Sequence, residues 1–142
     1  MRGAGKRPPD DWHSGAVKLF ALQRLLHLRR KRPALFAAGE YRRLQASGAP
    51  LRQVVAFARR LGMAWAVTLA PRLCAGLLPA DGALWQRPAW EDGALLLPAG
   101  APTRWRDIFT GVEVETAAGR RELPLADVLA GFPIAVLVPA TG

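Results

Sequence analysis

Residues 31–45, which read KRPALFAAGEYRRLQ, decide the fold because the spacing of the apolar residues changes within them. Upstream, apolar residues recur at helical intervals; downstream, they form short runs that Gly and Pro separate. Pro33 ends the first helix, since its ring cannot continue the hydrogen-bonded ladder. A second helical turn over 34–38 then closes at Gly39. The sequence therefore predicts an α+β fold with its helical part first.

Residues 15–31 predict one long amphipathic helix, with Ser14 as its N-cap. At about 100° per residue, one broad arc collects the apolar side chains. Its members are Val17, Leu19, Ala21, Leu22, Leu25, Leu26 and Leu28, whereas Phe20 falls among the polar residues. Such an arc suits a helix that covers a sheet, and equally a helix that packs against a body outside this chain.

Short runs after Gly39, several of them rich in β-branched or aromatic residues, predict an antiparallel, β-sandwich-like domain. The predicted strands are 41–45, 54–60, 64–70, 94–97, 107–109, 112–116, 121–123 and 134–138. Turns are expected at 47–50, 60–62, 80–82 and 118–119, and one helical turn at 125–129. The expected organisation is an unstructured start at 1–11, a helix and turn at 12–39, and a β-domain at 40–142.

The net charge of +9 is unevenly distributed along the 142 residues. Residues 1–72 hold 15 of the 20 Lys and Arg against 3 acids, and residues 73–142 hold 5 against 8. Arg29 to Arg32 and the pair Arg42-Arg43 would carry a nucleic-acid-binding alternative. Because interleaved aromatics and Gly-rich loops are missing from these runs, nucleic acid is not the favoured partner.

Targeting and ligand signals are sparse. The basic residues near Met1 lead into Pro8 and Pro9 instead of an apolar export segment. The apolar run 63–70 is far shorter than the roughly 20 residues of a membrane span. A single cysteine, Cys74, forms no internal disulfide, and the two histidines form no ligand cluster with it. We expect a cytoplasmic protein with no membrane partner, no metal and no cofactor.

No carboxylate is assigned a catalytic role. Most candidates lie in predicted turns or beside Arg, and the adjacent pair Glu91-Asp92 is interpreted as a solvated turn. The carboxylates considered are Glu40, Asp81, Glu91, Asp92, Asp107, Glu113, Glu115, Glu122 and Asp127.

The tryptophans are the candidate substrate-binding residues, because an aromatic face can stack on a sugar ring. Trp65 lies among apolar neighbours and is predicted to be core. Trp85 and Trp90 lie in a Pro/Gly-rich loop and are the candidates for stacking on a sugar. Cys74, between Leu73 and Ala75, is interpreted as an inert apolar filler.

Short motifs along residues 14–138 resemble, in order, the C-terminal region of the maltooligosyltrehalose synthases, relatives of the α-amylases. The motifs are Ser14-Gly15-Ala16-Val17-Lys18, Leu28-Arg29-Arg30, Pro33-Ala34-Leu35-Phe36, Gly39-Glu40-Tyr41, Val54-Val55-Ala56-Phe57-Ala58-Arg59-Arg60, Pro71-Arg72-Leu73, Trp105-Arg106-Asp107-Ile108-Phe109-Thr110-Gly111 and Phe132-Pro133-Ile134-Ala135-Val136-Leu137. The chain departs from the family at Ser14, usually Asp, and at Ala16, usually Arg.

The resemblance implies that the long helix is the last helix of a catalytic barrel and that residues 40–142 are the domain that follows it. In that family the whole enzyme converts the reducing end of a maltodextrin into a terminal trehalosyl unit. A (β/α)8 barrel takes about 250 residues, so this chain does not contain one. We expect an end-piece without catalysis of its own, with a separately encoded barrel as its partner. The alternative is a stand-alone maltodextrin-binding module that uses Trp85 and Trp90.

Overall fold

A computed structural model of the chain describes residues 7–9, 14–48, 54–72, 90 and 92–141. Helix α1 spans Ala16–Lys31, α2 spans Pro33–Ala38 and the single-turn helix α3 spans Leu125–Val128. The strands are β1 (Glu40–Leu44), β2 (Ala46–Ser47), β3 (Val54–Leu61), β4 (Ala64–Pro71), β5 (Ala94–Leu96), β6 (Arg104–Asp107), β7 (Glu113–Glu115), β8 (Glu122–Pro124) and β9 (Ala135–Pro139). The three predicted helical segments are confirmed to within one residue at each end.

The strands form two antiparallel sheets. The larger has six strands in the order β1-β3-β4-β9-β6-β7, and the smaller has three in the order β2-β5-β8. Strands β3 and β4 form a hairpin, with Leu61 paired to Ala64 beside the turn and Val54 paired to Pro71 at the far end. The last strand, β9, lies between β4 and β6 and pairs with both.

Buried side chains show that the molecule has three layers. One cluster joins the two sheets, since it contains Leu137 and Trp105 of the larger sheet together with Leu95 and Leu123 of the smaller. A second cluster joins the larger sheet to α1. Strand β9 contributes alternate residues to the two clusters, as the period of a strand requires. The predicted α+β class, with a sandwich-like pair of sheets, is confirmed.

The buried face of α1 differs from the predicted arc. Val17, Phe20 and Leu28 are buried against Phe109, Phe132, Val136 and Val138, and the rings of Phe20 and Phe132 meet edge to face at 5.9 Å. Phe20, which was placed among the polar residues, is thus a core residue. Leu19, Leu22, Leu25 and Leu26 are instead 67%, 50%, 37% and 50% exposed. The single arc is in fact two apolar faces on opposite sides of the helix.

Three local predictions need correction. The N-cap is Gly15, at φ 78°, and Ser14 lies one residue earlier, where its hydroxyl accepts a hydrogen bond from the Ala16 N–H at 3.3 Å. The strand predicted at 107–109 lies earlier in the chain, because β6 spans Arg104–Asp107 and the residues at 108–110 form a turn. Strand β2, only two residues long, was not predicted.

Several predictions fall outside the described residues, among them most of the start at 1–11, the turn at 80–82, Cys74 and Trp85. Within the described part of the chain, no helix is long and apolar enough to cross a membrane.

Candidate functional site

The described carboxylates are spread over several elements of the fold, and Glu113 and Glu115 share strand β7. Glu40 lies on β1 and Glu113 on β7, which are opposite edges of the larger sheet, and Glu122 lies on β8 of the smaller sheet. Arg42, Arg104 and Arg120 respectively contact these three carboxylates at 3.3, 2.7 and 4.0 Å. Asp92 and Glu115 are exposed and Asp127 is half-buried, whereas Asp81 and Glu91 lie outside the described residues. Among the described residues, no three His, Cys, Asp or Glu side chains are grouped to hold a metal ion.

Asp107 is the carboxylate that the fold buries, with 3% exposure. Its Oδ1 accepts hydrogen bonds from the Phe109 and Val136 N–H groups at 3.4 and 3.3 Å, and its Oδ2 accepts bonds from the N–H and hydroxyl of Thr110 at 3.2 and 2.8 Å. Burial raises the pKa of Asp107, and the hydrogen bonds from Thr110, Phe109 and Val136 partly offset that rise. Since its oxygens are turned to the protein's own donors, this carboxylate fastens the turn after β6 to β9.

The tryptophans whose placement is described are core residues. Trp65 and Trp105 meet edge to face at 6.3 Å, and the Trp105 Nε1–H donates to the Pro102 carbonyl at 2.9 Å. Trp65 is 5% exposed, as predicted for a core residue. Trp90 is 1% exposed and belongs to the cluster between the sheets, so neither of its faces is open to a sugar ring. Trp85 lies outside the described residues, and its part in sugar binding stays a prediction.

An open depression lies where α1 meets α2. This α1–α2 groove has a volume of about 880 Å³, and Gln23, Leu26, His27, Arg29, Arg30, Pro33 and Ala37 line it. The described lining residues combine apolar side chains with two guanidinium groups, an imidazole and an amide, and none of them is a carboxylate. Its chemistry suits an anionic or amphipathic ligand, and His27 is the described lining residue whose side chain could transfer a proton.

The groove was not predicted from the sequence, although part of its signal was present. A cationic helix end at Arg29 and Arg30 is followed at once by Pro33, a residue favoured at the first position of a new helix. Two helices that meet at such a break enclose a concave angle. Arg42 and Arg43, the other basic pair of the nucleic-acid alternative, lie on the edge strand β1 instead.

Comparison with known proteins gives two relatives, one from each of two strains of Mycobacterium tuberculosis, both named "Putative maltooligosyl trehalose synthase". Each is 33% identical over 140 residues, which cover 93% of this chain and 16% of the relative. No protein-family model and no solved structure matches the chain. The chain is therefore distantly related to a segment of those proteins and spans a small part of their length.

Proposed function

We propose that this chain corresponds to the C-terminal region of a maltooligosyl trehalose synthase and supplies structure to such an enzyme, without catalysis of its own. The observation that carries the proposal is the 33% identity, which extends over 93% of the chain and matches proteins of that name. On this proposal α1 is the last helix of a catalytic barrel, and the two sheets form the domain that follows.

The arrangement of the carboxylates supports a non-catalytic role. A retaining glucosyl transfer needs two carboxyl groups about 5 Å apart on either side of the reacting sugar bond. In the described part of the chain, Asp107 is enclosed by its own turn, and Glu40 and Glu113 lie at opposite edges of a six-stranded sheet. The described residues that line the groove at the α1–α2 junction include no carboxylate. The nucleophile and the acid of the reaction would then belong to the barrel.

A chimera tests this proposal. In one of the Mycobacterium proteins, the segment that aligns with this chain would be replaced by residues 14–141. Because a compatible domain restores the support that the barrel has lost, we expect the chimera to consume the reducing ends of maltopentaose, whereas the same protein with the segment deleted should not. The isolated chain should show no turnover in the same assay.

Two results would contradict the proposal. A chimera that folds, by circular dichroism, yet stays as inactive as the deletion would show that this chain does not support the barrel of such a synthase. Steady turnover by the isolated chain, abolished by a single substitution such as Glu113→Gln, would place the catalysis in this chain.

The maltodextrin-binding module remains a separate proposal, and it now depends on Trp85, since Trp90 is enclosed in the core. Titration of the chain with maltopentaose, followed by tryptophan fluorescence, tests it. A saturable change that Trp85→Ala removes would support sugar binding.

A further inference from the structure

The outward side of α1 carries a row of leucines. Leu19, Leu22, Leu25 and Leu26, here called the leucine stripe, are spaced three and four residues apart and therefore lie along one side of the helix. The opposite side, with Val17, Phe20 and Leu28, is packed on the larger sheet. Packing among the residues that the structure describes thus does not account for the stripe. A contiguous exposed apolar surface of this kind marks a contact with another molecule.

The stripe leads into the α1–α2 groove, because Leu26 belongs to both. Leu22 and Leu26 are one helical turn apart, and Pro33 and Ala37 continue the apolar lining across to α2. A surface that joins a ridge of leucines to a concave groove is shaped to receive a protruding element. A flat lipid surface would cover the ridge and leave the groove unfilled.

The charge around this surface restricts the partner. The sequence of α1 contains Lys18, Arg24, Arg29, Arg30 and Lys31 and no acidic residue, and Arg32 follows directly. Arg24 lies over the Phe20 ring on the side of α1 that packs on the sheet, whereas Arg29 and Arg30 line the groove together with Leu26. A second copy of α1 placed on the stripe would bring its own cations close to Arg29 and Arg30. Like charges opposed across an interface disfavour that pairing. The complementary partner carries carboxylates beside its apolar side chains.

We propose that the leucine stripe and the α1–α2 groove form a docking surface for an acidic amphipathic helix of another protein. Its apolar side chains lie on Leu19, Leu22 and Leu26, and its Asp and Glu residues pair with Arg29 and Arg30. Recognition of an amphipathic helix in an apolar groove is a common mode of protein binding. Nucleic acid is a poorer match, because four exposed leucines contribute nothing to phosphate contacts. On the proposed function a catalytic barrel would cover this same side of α1, and the acidic helix would then be one of the barrel's own. The inference itself names only the surface and the chemistry of the partner, and its tests use this chain without a barrel.

Fluorescent synthetic helices are the probes for this surface. The first peptide, Leu/Glu, presents a row of leucines flanked by Glu. The second, Leu/Lys, has the same leucines flanked by Lys. The third, Ser/Glu, keeps the flanking Glu residues and has Ser in place of every Leu. With the full chain we expect saturable binding of the Leu/Glu peptide. The other two should bind at least about tenfold more weakly, because each lacks either the apolar burial or the charge match.

Variants of the chain locate the binding. Leu22→Ser combined with Leu26→Ser should weaken binding of the Leu/Glu peptide about tenfold or more. Val112→Ser is the matched control, since Val112 has the same exposure as Leu22, 49% against 50%, and lies in the turn before β7. It should leave binding unchanged. Circular dichroism of each variant checks that α1 is still formed.

Four results would overturn the proposal. They are equal binding of the Leu/Glu and Ser/Glu peptides, no binding of either, self-association in sedimentation that Leu22→Ser abolishes, and leucine-dependent binding to phosphatidylglycerol vesicles in place of the peptide. The third would assign the surface to a second copy, and the fourth to a lipid. None of these measurements involves maltodextrin, so their outcome is separate from that of the chimera.

Discussion

Asp107 illustrates how a single residue connects a sequence motif to the fold. In Trp105-Arg106-Asp107-Ile108-Phe109-Thr110-Gly111 its carboxylate accepts bonds from two residues of its own turn and from Val136 on the neighbouring strand. The role of this carboxylate in the structure is therefore a contact within the turn. The bond to Val136, 29 residues away, is the part that the motif alone could not reveal.

Substitution of Asp107 by Asn should destabilise the chain by about 1–3 kcal/mol, because an amide NH₂ would face the Thr110 N–H and leave that donor unsatisfied. Urea unfolding measures the loss. Glu115→Gln on the exposed side of β7 is the control and should be within about 0.5 kcal/mol of the original chain.

The comparison of the original chain with Asp107→Asn also gives a prediction about pH. Since burial raises the pKa of Asp107 above its ordinary value of 3.8, the folded state favours the protonated carboxyl. Its contribution to stability is therefore full below that ordinary value and is lost as pH rises through the folded-state pKa. The original chain should therefore exceed Asp107→Asn in free energy of unfolding by a margin that shrinks as the pH rises. A margin that grows with pH would show that the hydrogen bonds to the carboxylate outweigh the effect of burial.

Gly48 is a residue whose substitution should be costly for two reasons. Its φ of 90° is strained for any side chain, and a Cβ would overlap the carbonyl group of Asp92. Gly62 shares the positive φ, at 59°, but has open space around it. We expect Gly62→Ala to lose about 1–2 kcal/mol from strain and Gly48→Ala to lose more. Equal losses in thermal or urea unfolding would mean that the close approach at Asp92 relaxes freely.

At the scale of elements, most helices and strands could be predicted because their apolar periods are local. The buried side of α1 could not be predicted, since large apolar residues occur on both sides of the helix. The side that packs is decided by Phe109, Phe132 and Val136, which lie some 90 residues or more along the chain. Strand β6 was misplaced because the turn that Asp107 fastens resembles a continuation of the strand.

The two sides of α1 should respond differently to truncation. Phe20→Ala removes a buried ring from the contact with Phe132 and should destabilise the chain by about 3–5 kcal/mol. The adjacent Leu19→Ala, at a residue 67% exposed, should change stability by no more than about 0.5 kcal/mol. The urea midpoints of the two variants show which side of α1 is packed on the sheet. A larger loss for Leu19→Ala than for Phe20→Ala would mean that the arc predicted from the sequence is the packed side.

At the scale of the whole molecule, the order of the strands within the sheets could not be predicted from the sequence. Strand β9, last in the chain, lies inside the larger sheet between β4 and β6. Its residues Ala135, Val136, Leu137 and Val138 are all buried, because one face meets the smaller sheet's core and the other meets α1. A continuous apolar run is the signature of a strand covered on both faces, so its central position was open to inference. The sequence does not show which strands flank it.

Because β9 belongs to both buried clusters, the helical layer and the sandwich should unfold together. Trp65, Trp90 and Trp105 report on the cluster between the sheets, and α1 dominates the helical signal in circular dichroism. With Trp12 and Trp85 replaced by Phe, fluorescence and circular dichroism should give one coincident urea transition, as small domains usually do. Phe20→Ala should move both curves to lower urea by the same amount, since loss of the outer cluster is transmitted through β9. A helical signal that melts before the fluorescence changes would mean that residues 12–39 are a separate unit, held on the sheet too weakly to share its stability.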